Sequence, residues 1–178
     1  MKDYNIQTIA NQADKTDVIC DIDGTLMNVE DRLALAKKNK RPEDKKMNWD
    51  IFLDPKVMEA EDRPNWDVVF LIKKLIFTGS TIIFTSARNE RHRDVTMRQL
   101  AMGCNINMRI SPYSDKGNRL YLRDDDDFRP DDITKKEIFD KVVSDGFKPQ
   151  LAFDDRENVV KMWRGIGLPC FQVREGKF

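Results

Sequence analysis

One histidine and three cysteines are all that this 178-residue chain offers toward a soft-metal site. Structural zinc wants four clustered nitrogen or sulfur ligands, whereas Cys20, Cys104 and Cys170 are far apart, odd in number and set in or beside apolar segments. They read as reduced core thiols in a reducing compartment, not as a disulfide framework. Net charge is just as scarce, since 31 Lys and Arg meet 31 Asp and Glu. Non-specific attraction to a phosphate backbone needs a surplus of Lys and Arg on some surface, and the chain as a whole has none. No apolar run approaches the roughly 20 residues that cross a bilayer, and residues 1–16 are polar, without a signal-peptide core. The expectation is a cytoplasmic protein with no membrane partner. The phosphate-loop pattern G-x-x-x-x-G-K-[ST] does not occur, so no kinase domain is expected in this chain.

What the chain does have is alternation. Its apolar fraction of 40% is enough for one packed domain over residues 1–178. Val18 to Ile22 reads as a short strand running into an acidic motif. Trp66 to Phe77, apolar at Val69, Ile72 and Ile76 and widened by Val68, Leu71 and Leu75, reads as a mostly buried helix stopped by Gly79. Thr81 to Phe84 is β-branched and aromatic, a strand. A helix from Glu90 to Met102 closes at Gly103, and Ile106 to Ile110 reads as the third strand. Asp131 or Asp132 is placed to cap a helix running from about Ile133 to Ser144. Gln150 to Phe153 is a strand, Val159 to Arg164 a helix, and Cys170 to Val173 a last strand. This order predicts an α/β fold, a three-layer sandwich around a mainly parallel sheet of about five strands.

Residues 28–65 break the pattern. They are rich in Lys, Glu and Asp, and far longer than a usual strand-to-helix loop. An insert after the first strand sits above the carboxyl ends of the strands, where ligands bind in such sheets. It reads as a small cap anchored by Trp49, Phe52 and Leu53, with a solvated surface excursion as the alternative.

The chemistry concentrates at strand ends. Asp21 and Asp23 lie two apart on an apolar strand, so both carboxylates can point at one ligand, and Gly24 permits the sharp turn that follows. An EF-hand loop would need Gly at its sixth position and Glu at its twelfth; counted from Asp21 these are Leu26 and Arg32. A receiver domain places its acidic pair on the first strand, whereas Asp154-Asp155 ends a late one. An acidic surface turn is disfavoured by the apolar Val18-Ile19-Cys20. Thr85-Ser86-Ala87-Arg88 follows the second strand and offers a hydroxyl able to hold a phosphoryl oxygen, although Ser86 could simply cap the next helix. Lys135 or Lys136 could neutralise phosphate charge, or sit on a solvated face. Adjacent carboxylates at Asp154 and Asp155 need water, a cation or N–H partners.

Taken in sheet order, Asp21-Ile-Asp-Gly-Thr25, Ser86, Lys135 and Asp154-Asp155 resemble the four motifs of haloacid dehalogenase (HAD) superfamily phosphatases, whose fold is the Rossmann-like sandwich expected above. Lys135-Lys-Glu-Ile-Phe139, Leu151-Ala-Phe-Asp-Asp-Arg156, Val159-Val-Lys-Met-Trp-Arg164, Gly167 and Phe171-Gln-Val173 are similar to the 3′-phosphatase domain of bacteriophage T4-type polynucleotide kinase–phosphatases. The insert looks longer than that family's. The resemblance implies Mg²⁺ held by the side chains of Asp21 and Asp154 and the main-chain carbonyl of Asp23, with Asp155 positioning the metal's waters or Lys135. It implies Asp21 as nucleophile, Asp23 as acid and base, and Ser86 (with Thr85 as competitor) and Lys135 on the phosphoryl oxygens. Thr25, Arg88 and Arg129 are the candidate substrate contacts, Arg88 alternatively acting from behind. The implied substrate is a 3′-phosphate, or a 2′,3′-cyclic phosphate, on DNA or RNA ends, and the likeness hints at a phage protein working in host cytoplasm. Against it stands the acidic run Asp124 to Asp127. In its favour are arginines at 88, 91, 93 and 98 and again at 119, 123 and 129. Free nucleotides or other small phosphomonoesters are the rival substrates, and an idle module binding phosphorylated ends or a protein partner is the non-enzymatic alternative.

Overall fold

The computed structural model describes residues 16–108 and 117–176 of the chain. Five parallel strands form its centre: β1 (Asp17–Asp21), β4 (Thr81–Asn89), β5 (Arg119–Arg123), β6 (Pro149–Arg156) and β7 (Cys170–Gly176), in the order β5-β4-β1-β6-β7. β1 is paired on both sides and buried along its whole length. Its side chains alternate between two apolar clusters, as the period of a strand requires. Val18 and Cys20, with Ile82 and Phe84 of β4, pack under helix α4 (Trp66–Phe77) through its Val68, Val69 and Ile72. Ile19 and Ile83 face the other way, onto α6 (Asp131–Ser144) and α7 (Glu157–Gly165), where Ile138, Val142, Val159, Val160 and Trp163 close the second cluster. Helices therefore cover both faces of a parallel sheet, the arrangement that the apolar alternation predicts. The outer side of α4 carries exposed Trp66, Phe70 and Phe77. No helix among the described residues is long and apolar enough to cross a membrane.

The third strand is a correction. Residues 106–108 form no strand, and 109–110 lie outside the described residues. Ile106 is buried, but it closes a turn by donating its N–H to the carbonyl of Leu100 and fills the first cluster. The strand beside β4 is β5, whose Arg-Leu-Tyr-Leu-Arg sequence buries Leu120 and Leu122 and puts arginines at both ends. The helix expected over 90–102 is also divided: a 3₁₀ turn (Glu90–His92), α5 (Arg93–Arg98) and a π turn (Gln99–Gly103). At the start of α6 the cap position is Pro130, with no side-chain cap; Asp131 and Asp132 occupy the first turn instead, where negative charge is favourable.

Residues 28–65 fold as three short helices. The chain leaves the sheet and returns through a two-strand antiparallel ribbon, β2 (Met27–Asn28) with β3 (Arg63–Pro64). Between them run α1 (Glu30–Lys38), α2 (Trp49–Phe52) and α3 (Pro55–Glu61). Side-chain caps start the last two: Asn48 accepts from the N–H groups of Asp50 and Ile51, and Asp54 from that of Lys56. Ala36, Met47 and Phe52 form a small core, with Leu33, Ile51 and Leu53 packed against it. Trp49 is half exposed and meets Phe52 edge-on at 5.7 Å.

Candidate active site

The carboxyl ends of β1, β4 and β6 meet at one buried cluster. Asp21, Asp154 and Asp155 offer carboxylate oxygens that lie within 4.8 Å of one another. Lys135, four residues into α6, donates to Asp21 Oδ1 at 2.6 Å and to Asp154 Oδ2 at 2.8 Å. Asp154 is held further by Trp163 Nε1 (3.1 Å) and by the N–H of Arg156 (3.1 Å). Asp21 Oδ2 is buried and has no hydrogen-bond partner among the described residues. Three carboxylates thus face one ammonium, and burying such an excess of charge is costly without a further cation. Burial pushes the Asp21 carboxyl well above its usual range; the Lys135 charge opposes the rise, and Asp154 and Asp155 add to it. Burial and the neighbouring Asp154 charge push Asp155 up to about 6. Burial alone would lower Lys135, but Asp154 and Asp21 overcome it and hold its ammonium above the usual lysine range. An all-oxygen donor set with an orphaned oxygen suits a hard divalent cation such as Mg²⁺.

Gly24 makes this convergence possible. It has φ +89°, a region open to glycine and strained for other residues. A Cβ built there would lie 2.6 Å from Asp155 Cγ, so any side chain would displace that carboxylate. Gly176 crowds the same group from the other side, with an added Cβ only 2.5 Å from Asp155 Oδ2. Asp155 is further held by the Thr25 hydroxyl, which donates to Oδ1 at 3.4 Å.

Asp23 occupies a second, balanced cluster. Arg32 Nη2 and Arg88 Nη2 both donate to its Oδ1 at 2.6 Å, and Arg88 Nε donates to Oδ2 at 2.9 Å. Asp62, at the end of α3, lies 2.9 Å from Arg32 Nε and 3.1 Å from Arg88 Nη2. Burial alone would raise the Asp23 carboxyl, yet the two guanidiniums more than offset it and hold the group well below the usual carboxylate range. Burial and the Asp23 charge push Asp62 up to about 6. Here two acids meet two bases, so no extra cation is called for. The cluster also ties the insert to the sheet, because Arg32 donates to the carbonyl of Phe52 (3.0 Å) and Gln99 binds both Arg88 and Asp62.

The remaining candidates divide. Ser86 is buried, and its Oγ accepts the N–H of Arg88 at 3.2 Å, which leaves its own O–H free to donate. Thr85 stands beside Asp21 in the β1–β4 register, and its buried hydroxyl has no partner among the described residues. The Thr25 side chain is fully buried on Asp155, and the Arg88 guanidinium is fully buried on Asp23, Asp62, Thr96 and Gln99. Both therefore act on the site from behind rather than from its open side. Arg129 is exposed and bidentate to Asp127 and Glu137. Among the described residues most of the arginines that cluster in the sequence are paired, Arg91 with Asp125, Arg93 with Glu90, Arg98 with Glu59 and Arg123 with Asp131, whereas Arg119 is exposed and donates to the carbonyl of Asn118.

Several participants carry no sequence signal of their own. Arg32 and Asp62 lie in the charged insert, where one arginine among many looks solvated. Asp131 bridges Arg123 and Arg156, and Gln99 sits on a π turn that a regular helix would not have shown. Arg32, Asp62 and Gln99 are set apart by burial, which is a property of the fold.

Comparison with known proteins gives the family. Residues 53–178 match the family model of the polynucleotide kinase PNKP phosphatase domain. A protein of Autographa californica nuclear polyhedrosis virus assigned as a bifunctional polynucleotide kinase/RNA ligase is 27% identical over 154 residues, 85% of this chain and 18% of its own length. The structure of the Pnkp1/Rnl/Hen1 RNA repair complex contains a chain 30% identical to this one, with a TM-score of 0.65 over 92% of this chain and 44% of that one. The class C acid phosphatase of Bacillus anthracis, at 16% identity and a TM-score of 0.57 over 97% of this chain and 72% of its own, shares the fold. The chain spans less than half the length of the first two relatives. It belongs to the PNKP phosphatase-domain family, and is a phosphatase of the HAD type.

Proposed function

We propose that this chain is a Mg²⁺-dependent phosphomonoesterase that works through an aspartyl-phosphate on Asp21 and removes 3′-phosphate, or 2′,3′-cyclic phosphate, from DNA or RNA ends. One observation carries the chemistry: Asp21 gives one oxygen to Lys135 and leaves the other, buried and unpartnered, beside Asp154 and Asp155. A phosphomonoester carries nearly two negative charges at neutral pH, so a carboxylate attacks it only where that charge is neutralised. Asp21, Asp154 and Asp155, with the carbonyl of Asp23, would hold the ion. When bound, Mg²⁺ supplies positive charge to the phosphoryl oxygens and offsets the surplus of carboxylates.

Within that frame each side chain has a task. Asp21 Oδ2 attacks phosphorus in line with the leaving oxygen, splitting one hard hydrolysis into two easier steps. Lys135 moves from the carboxylates toward the equatorial oxygens, and the Ser86 O–H donates to another. Asp23 serves both halves. Arg32 and Arg88 hold it ionised in the free protein, the state that takes a proton from the water cleaving the acyl phosphate. An arriving phosphate dianion raises its proton affinity, as a nearby like charge does, so that Asp23 takes up a proton from solvent as substrate binds and passes it to the leaving oxygen. Thr25, Gly24 and Gly176 fix Asp155.

The assignment to nucleic-acid ends is supported by the family and by relatives named for polynucleotide and RNA repair functions. A second reading, free nucleotides, is favoured by the paired arginines and the acidic Asp124 to Asp127, which leave little purchase for an extended backbone. A phosphate-release panel separates them: a 3′-phosphorylated oligonucleotide, 3′- and 5′-mononucleotides, and a generic alkyl phosphate. Fastest turnover of the oligonucleotide end supports the proposal; faster turnover of a 5′-mononucleotide reverses it.

A further inference from the structure

The loop from Asp124 to Pro130 joins β5 to α6 at the carboxyl edge of the sheet, the edge that holds Asp21 and Asp154. It is tied to the site at both ends. Arg123 pairs with Asp131, which also pairs with Arg156, the residue after Asp154-Asp155. Asp127 accepts from the hydroxyl of Thr134, the residue before Lys135, at 3.0 Å. Lys135 itself stands four residues, about 6 Å, into α6, so the end of the loop lies about one helical turn from the residue that binds Asp21 and Asp154.

Phe128 is the anomaly in this loop. Its ring is 82% exposed, the most open of the large apolar side chains described. A loose loop would explain that, but this one is pinned. Asn89 Nδ2 donates to the carbonyls of Asp124 and Asp125 at 3.2 Å each, and the N–H of Arg91 binds Asp125 Oδ1 at 2.9 Å. Asp127 donates its N–H to the carbonyl of Asp124, and its carboxylate takes both the N–H and the guanidinium of Arg129. The flanking residues are fixed and the aromatic face is held out to solvent. In front of it lies an open depression of about 610 Å³ lined by Asp124, Asp126, Asp127, Phe128 and Arg129.

That lining repels phosphate and suits a base. Carboxylates accept from the amino groups of cytosine, adenine or guanine, and an exposed aromatic ring stacks on any of the four. We infer that this loop is a nucleobase subsite, in which Phe128 stacks on the base of the nucleotide whose 3′-phosphate lies at Asp21. The inference rests on the phosphatase reading above and sharpens it. The acidic run, which argues against gripping a long backbone, becomes a reason why only the terminal base enters.

The test uses two oligonucleotides alike except at the 3′-phosphorylated terminus, one bearing a base and one an abasic sugar. The wild type prefers the base-bearing end, and Phe128→Ala lowers kcat/KM on that end at least about fivefold while the abasic end changes far less. Phe128→Trp keeps the preference. Equal loss on both ends, or no loss on either, overturns the subsite. A second readout does not need turnover: an oligonucleotide with a 3′-terminal 2-aminopurine is quenched on binding to Asp21→Asn protein, and the quench is lost when Phe128→Ala is added. If the wild type releases phosphate from neither end, the phosphatase reading fails, and the 2-aminopurine quench still decides the subsite. A quench unaffected by Phe128→Ala refutes it.

Discussion

Lys135→Met removes the one ammonium that, among the described residues, donates to Asp21 and Asp154, while keeping a side chain of similar length. The residue is buried, so water cannot take its place without entering the core. Three carboxylates then confront one another unopposed. Breaking a buried pair by deleting one partner costs about 3–5 kcal/mol, a large share of the roughly 5–15 kcal/mol that holds a domain together. The cost depends on pH, and its sign follows from the carboxyls. Asp21 and Asp155 already bind protons more tightly in the folded chain than an exposed carboxyl does. A group raised in this way contributes its stability below its unfolded value, near 4, and loses it as pH climbs through the folded one. For Asp155 that window runs from about 4 to about 6 in metal-free buffer. Without Lys135 both carboxyls rise further, so the loss extends to higher pH. Urea unfolding in EDTA should therefore show the variant far weaker than the wild type at pH 7.5 and closer to it at pH 5. Millimolar Mg²⁺ should recover part of the gap, because a ligand bound only by the folded state stabilises it. A variant as stable as the wild type at pH 7.5 in EDTA would refute the buried charge cluster.

Gly24→Ala combines a positive φ with a collision against Asp155; strain and overpacking together should cost about 2–5 kcal/mol, read by thermal or urea melts, with phosphatase activity falling alongside. An alanine variant of unchanged stability and rate would mean that Asp155 does not sit against that turn. EDTA should abolish phosphate release and Mg²⁺ restore it, since Lys135 alone does not balance three carboxylates and an incoming phosphate; metal-independent turnover would contradict this. The three thiols are buried and pushed up, Cys104 to about 11 and Cys170 to about 12, with Cys20 also well above its usual value, burial being the first cause in each. A thiol reagent at pH 7.5 should find none of them fast in the native protein and all of them after unfolding.

The legibility of this molecule in its sequence follows from where its signals are local. Val18-Ile19-Cys20 and Thr81 to Phe84 are apolar because both faces of a central parallel strand are buried, so they stand out. Edge strand β5 does not, since Arg-Leu-Tyr-Leu-Arg alternates like many surface segments, and Ile106-Asn-Ile competes with it in a single dimension. The acids at Asp21, Asp154 and Asp155 stand out because they lie at the carboxyl ends of apolar strands, and Asp23 because it follows two residues after the first of them. Arg32 and Asp62 do not, because their meaning lies in contacts with Asp23, Arg88 and each other that only the folded insert brings together. Arg88 and Thr25 stand out in the sequence only as neighbours of the strand-end motifs; their contacts with Asp23 and Asp155 come from the fold.

The central claim is that Asp21 becomes covalently phosphorylated. Rapid acid quench of the protein turning over a 3′-phosphorylated oligonucleotide, followed by peptide mass analysis, tests it directly. Phosphate is expected on the peptide containing Asp21, labile to hydroxylamine and absent from a folded, inactive Asp21→Asn variant. Appreciable turnover by that variant, or phosphate trapped on any other residue, would contradict it.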